Sequence, residues 1–510
     1  MIFFFEVHQP YRLDRRAYEK VIARALRGRL EPNDVEEAIL DNGLNREVLE
    51  RASRKCYLPA NAILLEGISK DYDGKRFKVS FSISGTLLEQ ASRWMPELID
   101  SFAKLASSEN VELVEQTFYH SIASLLPIPD QAELVEQIGE HRKIVKELFG
   151  RLPTAVENTE FMYNNDVALL FERMGYRVIL TEGVDWVLGW RSPNYVYRSL
   201  LGEARVLTRN YRLSDDVGFR FSDRKWDQYP LTADKYASWL AATPGDVILI
   251  AVDYETFGEH HWPESGIHEF LRWLPIEVLK HPHLSCATAT EAAARNPPRD
   301  VYDVPPWRTI SWADERDVSA WAGNPLQANA LRALYDLYWY VRALDDPRYT
   351  RLWKLLTTSD HFYYMATKFG SIAEVHTYFS PYKNASEAYA IFQQALGILS
   401  HAIAEAASAR RHSFYRRLRV PADRAFHFTY LDGRYTGISA SSVPEFLEAL
   451  ERVPPESLVY HLNRGDIAAW FEYVMAAPDV SEELRALSRE RPSADEAREK
   501  IAAVVKRLIE

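Results

Sequence analysis

Cysteine is almost missing from this chain. Cys56 and Cys286 are the only two among 510 residues, too few for a disulfide framework, so the cysteine count gives no pointer to an oxidising compartment. Surplus positive charge is missing too: 61 Lys and Arg stand against 72 Asp and Glu, a net charge of −11, and such a chain is repelled by nucleic acid and by anionic membranes. The N-terminal run "MIFFFEVHQP" has no positive residue ahead of it and is broken by Glu6, which fits neither a signal peptide nor an anchor. A cytoplasmic protein with neither nucleic acid nor membrane as partner is expected. No G-x-x-x-x-G-K phosphate loop, G-x-S-x-G elbow, Cys-x-x-Cys pair or H-E-x-x-H occurs, which removes the common signatures of nucleotide, serine-hydrolase and zinc chemistry. Neither an internal repeat nor a low-complexity tract is visible.

Aromatic residues, in contrast, are plentiful, with 13 Trp, 28 Tyr and 23 Phe. Flat apolar faces with a polar tip suit sugar rings, and they suit cores and interfaces as well. The length exceeds one ordinary core and predicts two or three domains. Up to residue 295, six short apolar runs alternate with amphipathic stretches: "IFFFEV", "KVSFSI", "VELVE", "TAVENTE", "RVILTEG" and "VILIAVD". That rhythm predicts a parallel sheet or barrel. Between two of them, Val167, Leu170, Phe171 and Met174 recur at helical spacing and Gly175 ends the helix. The Pro-rich "NPPRDVYDVPPW" (296–307) reads as a linker. Residues 325–411 read as helical, and "AFHFTYLDGRYTGIS" (425–439) reads as a hairpin turning at Asp432-Gly433. Ser493 and Glu496 have capping-box spacing for a last helix. The expected domains are a catalytic barrel (1–295), a helical domain (296–412) and a small α+β domain (413–510).

In a barrel of parallel strands, functional groups gather at the carboxyl ends, where the loops converge. Asp253 ends "VILIAVD", Glu160 ends "TAVENTE", His8 follows "IFFFEV" and Glu112 lies in "VELVE". Each alone reads as a loop-end charge or helix cap; four strand ends with ionisable groups read as a site. Two carboxylic acids without a cofactor motif suit glycoside hydrolysis, in which one attacks the anomeric carbon and the other protonates the departing oxygen. Adjacent His260 and His261 cannot face the same way on one element, which weakens a metal reading beside Glu259. A metal-dependent polysaccharide deacetylase on a distorted barrel and a non-catalytic glycan-binding protein are the other readings. The expected site holds no metal and no cofactor.

Five stretches together carry a family resemblance: "FEVHQPYRL" (5–13), "VELVEQTFYHSIASL" (111–125), "ENTEFMYNND" (157–166), "VDYETFGEHHW" (252–262) and "DVSAWAGNPLQ" (317–327). In this order they resemble the sequence regions of glycoside hydrolase family 57, in its α-amylase-like branch. "SDHFYYM" (359–365) and "VHTYFSPY" (375–382) extend the likeness. The resemblance implies an incomplete (β/α)7 barrel with a helical segment packed on it, and a retaining mechanism on α-1,4-glucans or malto-oligosaccharides. Hydrolysis, as in an α-amylase, and transfer, as in a 4-α-glucanotransferase, share that chemistry. Carried over, Glu160 is the nucleophile and Asp253 the general acid/base, with His8, Glu112, Glu255 and Trp321 lining the substrate site. Asp317 aligns with the fifth region's acidic residue only by a slip of one position.

Period-two alternation puts Glu157 on the face opposite Glu160, so the two are expected to have different roles. His260 is expected to bond the substrate and His261 to hold the loop. His120 reads equally as a sugar contact and as a satisfied buried histidine, while His361 and His376 read as packing or capping residues. Residues 413–510 resemble a small domain of unknown role found behind some family-57 catalytic domains, and self-association of the chain is left open.

Overall fold

A computed structural model describes residues 1–25, 30–367 and 380–510. His376 and most of the 375–382 stretch therefore lie outside the described residues. Among the described residues no helix is long and apolar enough to cross a membrane.

Seven parallel strands run in the order β3 (Val111–Leu113), β2 (Val79–Ile83), β1 (Ile2–Val7), β8 (Leu249–Asp253), β7 (Arg205–Arg209), β5 (Val178–Glu182) and β4 (Ala155–Glu157). The ends of this row meet. Glu115, just past β3, donates its N–H to Ala155 O and accepts from Glu157 N, both at 2.9 Å, so the sheet nearly closes into the expected seven-stranded barrel. β7, in "EARVLTRN" (203–210), is a strand that the apolar-run reading passed over, because Arg205 and Arg209 bracket a core of only three apolar or neutral residues. Two further strands, β6 (Val196–Ser199) and β9 (Asp300–Tyr302), pair beside β7, β6 running antiparallel to it.

Strand alternation divides each β-element between two cores. On β1, Phe3, Phe5 and Val7 face outward into a core built with the surrounding helices. Ile2 and Phe4 face inward with Leu180, Leu207, Leu249 and Ala251, and each buried apolar side chain of this size contributes about 1.5–3 kcal/mol. The same period sends Glu6 inward, one rung above Phe4.

The Pro-rich stretch expected to be a linker is instead part of the barrel. β9 lies within it and zips onto β6, Val304 exchanges backbone bonds with the Asn165 side chain and N–H at 3.0 and 2.8 Å, and buried Tyr302 donates its hydroxyl to Glu182 O at 2.6 Å. Prolines leave the carbonyls and the intervening N–H groups free to pair, so proline content alone did not make a linker.

The three consecutive domains of the sequence reading (1–295, 296–412, 413–510) give way to two interleaved compact units: Met1–Arg15, Leu40–Leu331 and Thr357–Phe392 in the first, Arg16–Ile39, Arg332–Leu356 and Gln393–Glu510 in the second. In the second, the antiparallel hairpin of β10 (Phe426–Thr429) and β11 (Tyr435–Ala440) turns through Gly433 at φ +84°, as expected from Asp432-Gly433. Phe426 and Phe428 pack on Phe446, and Phe426 also on Trp470. Ser493 and Glu496 form the anticipated capping box on helix Ala494–Lys506.

Candidate active site

Strand register places the inward side chains in rungs. Phe4, Ser80 and Ala251 share one rung; Glu6, Ser82 and Asp253 share the next, at the carboxyl ends. Glu112 pairs with Ser80 and so belongs to the lower rung. It accepts hydrogen bonds from Thr290 N at 3.0 Å and from the Thr290 hydroxyl, holding the helix Ala289–Arg295 against the bottom of the barrel. It has the right face and the wrong height, and it does not line the cleft, so its expected place in the substrate site is corrected.

Past β4 the chain does not continue as a strand. Glu160 and Phe161 both take left-handed backbone angles, φ 60° and 53°, a conformation costing about 1–3 kcal/mol for each non-glycine residue. The tight turn swings Glu160 back over the barrel, onto the same side as Glu157, which overturns the opposite-face expectation. Alternation fails here because it holds only while the backbone stays extended. Phe161 is anchored by its ring against Phe4 and Trp312, with centroids 5.6 and 5.0 Å apart.

Glu160 is held by two donors. Trp312 Nε1–H donates to Oε2 at 2.6 Å and the Ser359 hydroxyl to Oε1 at 2.9 Å, and His120 Nε2 stands 3.4 Å from Oε1. Asp253 is treated differently by its surroundings. Burial first, and the charge of Glu160 next, push its pKa up to about 7. Two neighbouring carboxyls thus sit in different surroundings: hydrogen-bond donors meet one, and burial favours the neutral form of the other.

Two imidazoles stack beside them. His8 and His120 lie with ring centroids 4.0 Å apart. His8 Nε2 is 2.9 Å from Asp360 Oδ2 and Nδ1 is 2.8 Å from the Ser84 hydroxyl. Burial and the adjacent His120 push the His8 pKa down to about 4, so it is neutral, donating to Asp360 and accepting from Ser84. Burial opposes the charge of His120 as well, but Glu160, Asp360 and Glu157 outweigh it and raise its pKa. Although burial opposes its charge, Asp360 is held below the usual carboxylate range by the two histidines. Glu255 accepts from His8 N at 3.3 Å and from the Tyr57 hydroxyl; burial, then Asp253, push its pKa up to about 8.

A buried ion cluster forms another wall. Arg209, at the end of β7, donates to Glu182 at 2.9 Å and Asp215 at 2.6 Å, and Arg316 donates to Glu182 at 3.1 Å and to the carbonyl of Trp312 at 2.5 Å. Through that last bond the cluster fixes the tryptophan that holds Glu160. The groups surround a cavity of about 440 Å³ lined by His8, Glu160, Asp253, Trp312, Trp321 and Asp360 among others.

The sequence profile of Glycosyl hydrolase family 57 matches residues 2–305. The chain belongs to that family. A Methanocaldococcus jannaschii protein named "Putative alpha-amylase" is 46% identical to this enzyme over 399 residues, 76% of this chain and 82% of that one. A GH57 branching enzyme from Thermococcus kodakaraensis superposes with a TM-score of 0.57 at 12% identity, covering 89% of this chain and 94% of that one. The 4-alpha-glucanotransferase of Thermococcus litoralis superposes with a TM-score of 0.52 at 17% identity over 77% of this chain; the enzyme spans 60% of that longer protein. Both superpositions show the fold.

Of the residues singled out in the sequence of this family-57 enzyme, Glu160, Asp253, His8, His120, Glu255, His260 and Trp321 line one cleft. His260 is kept neutral by burial and by His261, its pKa down at about 3. His261 bonds Val217 O and Gly218 O at 3.0 and 3.1 Å, holding the loop as expected. Trp321 is buried with its ring near Tyr363. Asp317 is exposed and caps Ser319 N at 2.8 Å, outside the cleft. His361, in a short helix, packs its ring on Phe392. Trp312 and Glu6 are the residues that sequence reasoning missed, Ser359 and Asp360 stood in "SDHFYYM" without an assigned role, and Glu157 was expected on the other face. Glu6 left a signal, a lone acid in "IFFFEV" in alternation with His8.

Proposed function

We propose that this family-57 enzyme cleaves α-1,4-linked glucose chains with retention of configuration. Glu160 attacks the anomeric carbon while Asp253 gives its proton to the departing glycosidic oxygen. A covalent glycosyl-enzyme forms, and Asp253, now a carboxylate, takes a proton from the incoming water as it attacks. The observation that carries this reading is the asymmetry of the two carboxyls: Glu160 bears two hydrogen-bond donors, whereas Asp253 is pushed up to about 7 by burial and by Glu160. A nucleophile needs the first environment and a general acid the second. The α-glucan substrate is supported by the names of the relatives, an alpha-amylase, a branching enzyme and a 4-alpha-glucanotransferase. Transfer differs only in that a sugar hydroxyl replaces water as acceptor.

Maltoheptaose separates the two outcomes, shorter products alone meaning hydrolysis and longer ones transfer. Glu160→Ala should abolish turnover and azide should restore it, giving a glycosyl azide of inverted configuration. Asp253→Asn should slow poor leaving groups by about 10²–10⁴-fold and activated aryl glycosides far less. No turnover of any α-glucan, or no azide product from Glu160→Ala, would overturn the assignment.

A further inference from the structure

Below the proposed nucleophile lies a second pair of acids. Glu6 arrives inward from β1 and Glu157 from β4, on the far side of the barrel opening, and their side chains are 2% and 0% exposed. Among the described residues none of their four oxygens has a donor at full hydrogen-bonding geometry, the Ser82 hydroxyl being the one donor that comes near Glu157. The carboxyls do lie within hydrogen-bonding reach of each other, a contact that two carboxylates cannot make, since neither carries a hydrogen. Desolvation together with mutual repulsion makes two buried charges in one site prohibitive.

His120 connects this pair to Glu160. Its Nδ1 is 2.9 Å from Gln116 Oε1 and 3.2 Å from Glu6 Oε1, and its Nε2 is 3.4 Å from Glu160 Oε1. The Ser82 hydroxyl at the other end of the Gln116 side chain, 2.7 Å away, can donate or accept, but whichever way the amide is turned Nδ1 still faces a Glu6 oxygen and Nε2 a Glu160 oxygen. Both ring nitrogens therefore meet acceptors, an arrangement that suits an imidazolium and not a neutral ring. The ionisable groups facing the pair are Glu160, Asp253 and His120, with Ser82 beside Glu157. His120 faces Asp360 as well and stacks on the neutral His8.

We infer that Glu6 and Glu157 share a single proton, and that the one negative charge left on the pair holds His120 as an imidazolium against Glu160. Glu6, on the floor of the cavity, and Glu157, outside its lining, are then positioning residues: they act by keeping a positive, hydrogen-bonded partner beside the carboxylate that attacks. A pair with no proton would add another buried negative charge beneath the nucleophile. A pair with two would leave His120 without its lower counter-ion. Burial drives the pKa of both acids upward, and their closeness prevents simultaneous ionisation. The inference rests on Glu160 being the nucleophile only for its effect on turnover; the proton count does not depend on it.

Glutamine substitutions count the charge. In Glu6→Gln or Glu157→Gln the amide replaces the acid hydroxyl as donor to the remaining carboxylate, so the pair keeps one negative charge. Each single variant should lose modestly in kcat/KM and keep the alkaline limb of its pH profile. Glu6→Gln/Glu157→Gln removes the charge; its kcat/KM should fall more than about tenfold further, with the alkaline limb lower by roughly one pH unit. The downward sign follows because losing a nearby anion lowers the pKa of both His120 and Asp253. The infrared carbonyl stretch of protonated carboxyls in heavy water, recorded where surface acids are ionised, gives an independent count from the single and double variants together. Wild type minus either single variant should show the loss of one protonated carboxyl. No loss in either would mean two charged acids. A loss from Glu6→Gln and a further one on adding Glu157→Gln would mean two neutral acids. Either result overturns the inference, as does a single variant whose alkaline limb moves as far as that of the double. Azide rescue of Glu160→Ala tests the nucleophile separately, so failure of one is distinguishable from failure of the other.

Discussion

In the barrel, Glu6, Glu157, Glu182 and Glu255 are buried at the strand ends or just past them. In the second unit, Glu472, Glu483 and Glu490 meet Arg485, Arg507 and Lys500 on side chains that are largely in water. The polar residues buried within 393–510 are Ser442, Ser457, His461 and Ser481, with no Asp, Glu, Lys or Arg among them. Ion pairs of that exposed kind are worth little, since solvent already satisfies both partners. The barrel's acids cost folding free energy to desolvate and contribute none of the packing that an apolar residue would. The second unit also buries Asp346, but with Arg348 and Arg410 beside it, whereas Glu6 and Glu157 at the barrel mouth have no Lys or Arg paired to them among the described residues.

That contrast should first appear as stability. Glu182→Ala leaves Arg209 and Arg316 buried with Asp215 as their remaining carboxylate, and breaking a buried ion cluster in this way should cost about 3–5 kcal/mol in denaturant unfolding. Glu472→Ala should leave the midpoint unchanged. Equal effects from the two would dissolve the distinction.

The alkaline response to pH should be carried by the barrel. Asp253 and Glu255, raised to about 7 and about 8, bind protons more tightly folded than unfolded. Their contribution is full below the ordinary carboxylate range and is lost as pH rises through 7 to 8. In the second unit the bond from Arg348, against the opposing effect of burial, takes Asp346 down to about 2. Its contribution is present above the ordinary Asp value and is lost as pH falls towards 2. Hydrogen exchange read peptide by peptide should show the barrel loosening as pH rises from about 6 to about 9, and residues around Asp346 loosening below about pH 4, after correction for the intrinsic exchange rate. The smallest effect is expected from Glu112→Gln. It weakens the bonds to Thr290 by about 1 kcal/mol while kcat/KM stays at the wild-type value, because Glu112 sits one rung below the cleft. A fall in kcat/KM without loss of stability would return Glu112 to the substrate site.

The sequence by itself determined a good deal. Alternating apolar runs dictated parallel strands, since a two-residue period has only one way to bury both faces between helices and a barrel interior. Strand-end placement and the five ordered motifs brought out Glu160, Asp253 and His8, and Asp-Gly required the hairpin at 432–433. Only the tertiary structure decided the rest. Height inside a barrel depends on register between strands distant in sequence, and for that reason Glu112 and Glu6, both inward, separate into different rungs. Two left-handed residues turned Glu160 onto the side of Glu157, against an alternation that holds only for extended chain. Trp312, Ser359 and Asp360 reach the cleft from segments more than 150 and nearly 200 residues past Glu160 or, for Asp360, 352 past His8. Even where a motif marked the segment, as "SDHFYYM" marked Ser359 and Asp360, no local pattern gave such residues a role, because what makes them functional is the carboxylate or imidazole they meet, and that meeting exists only in the folded chain.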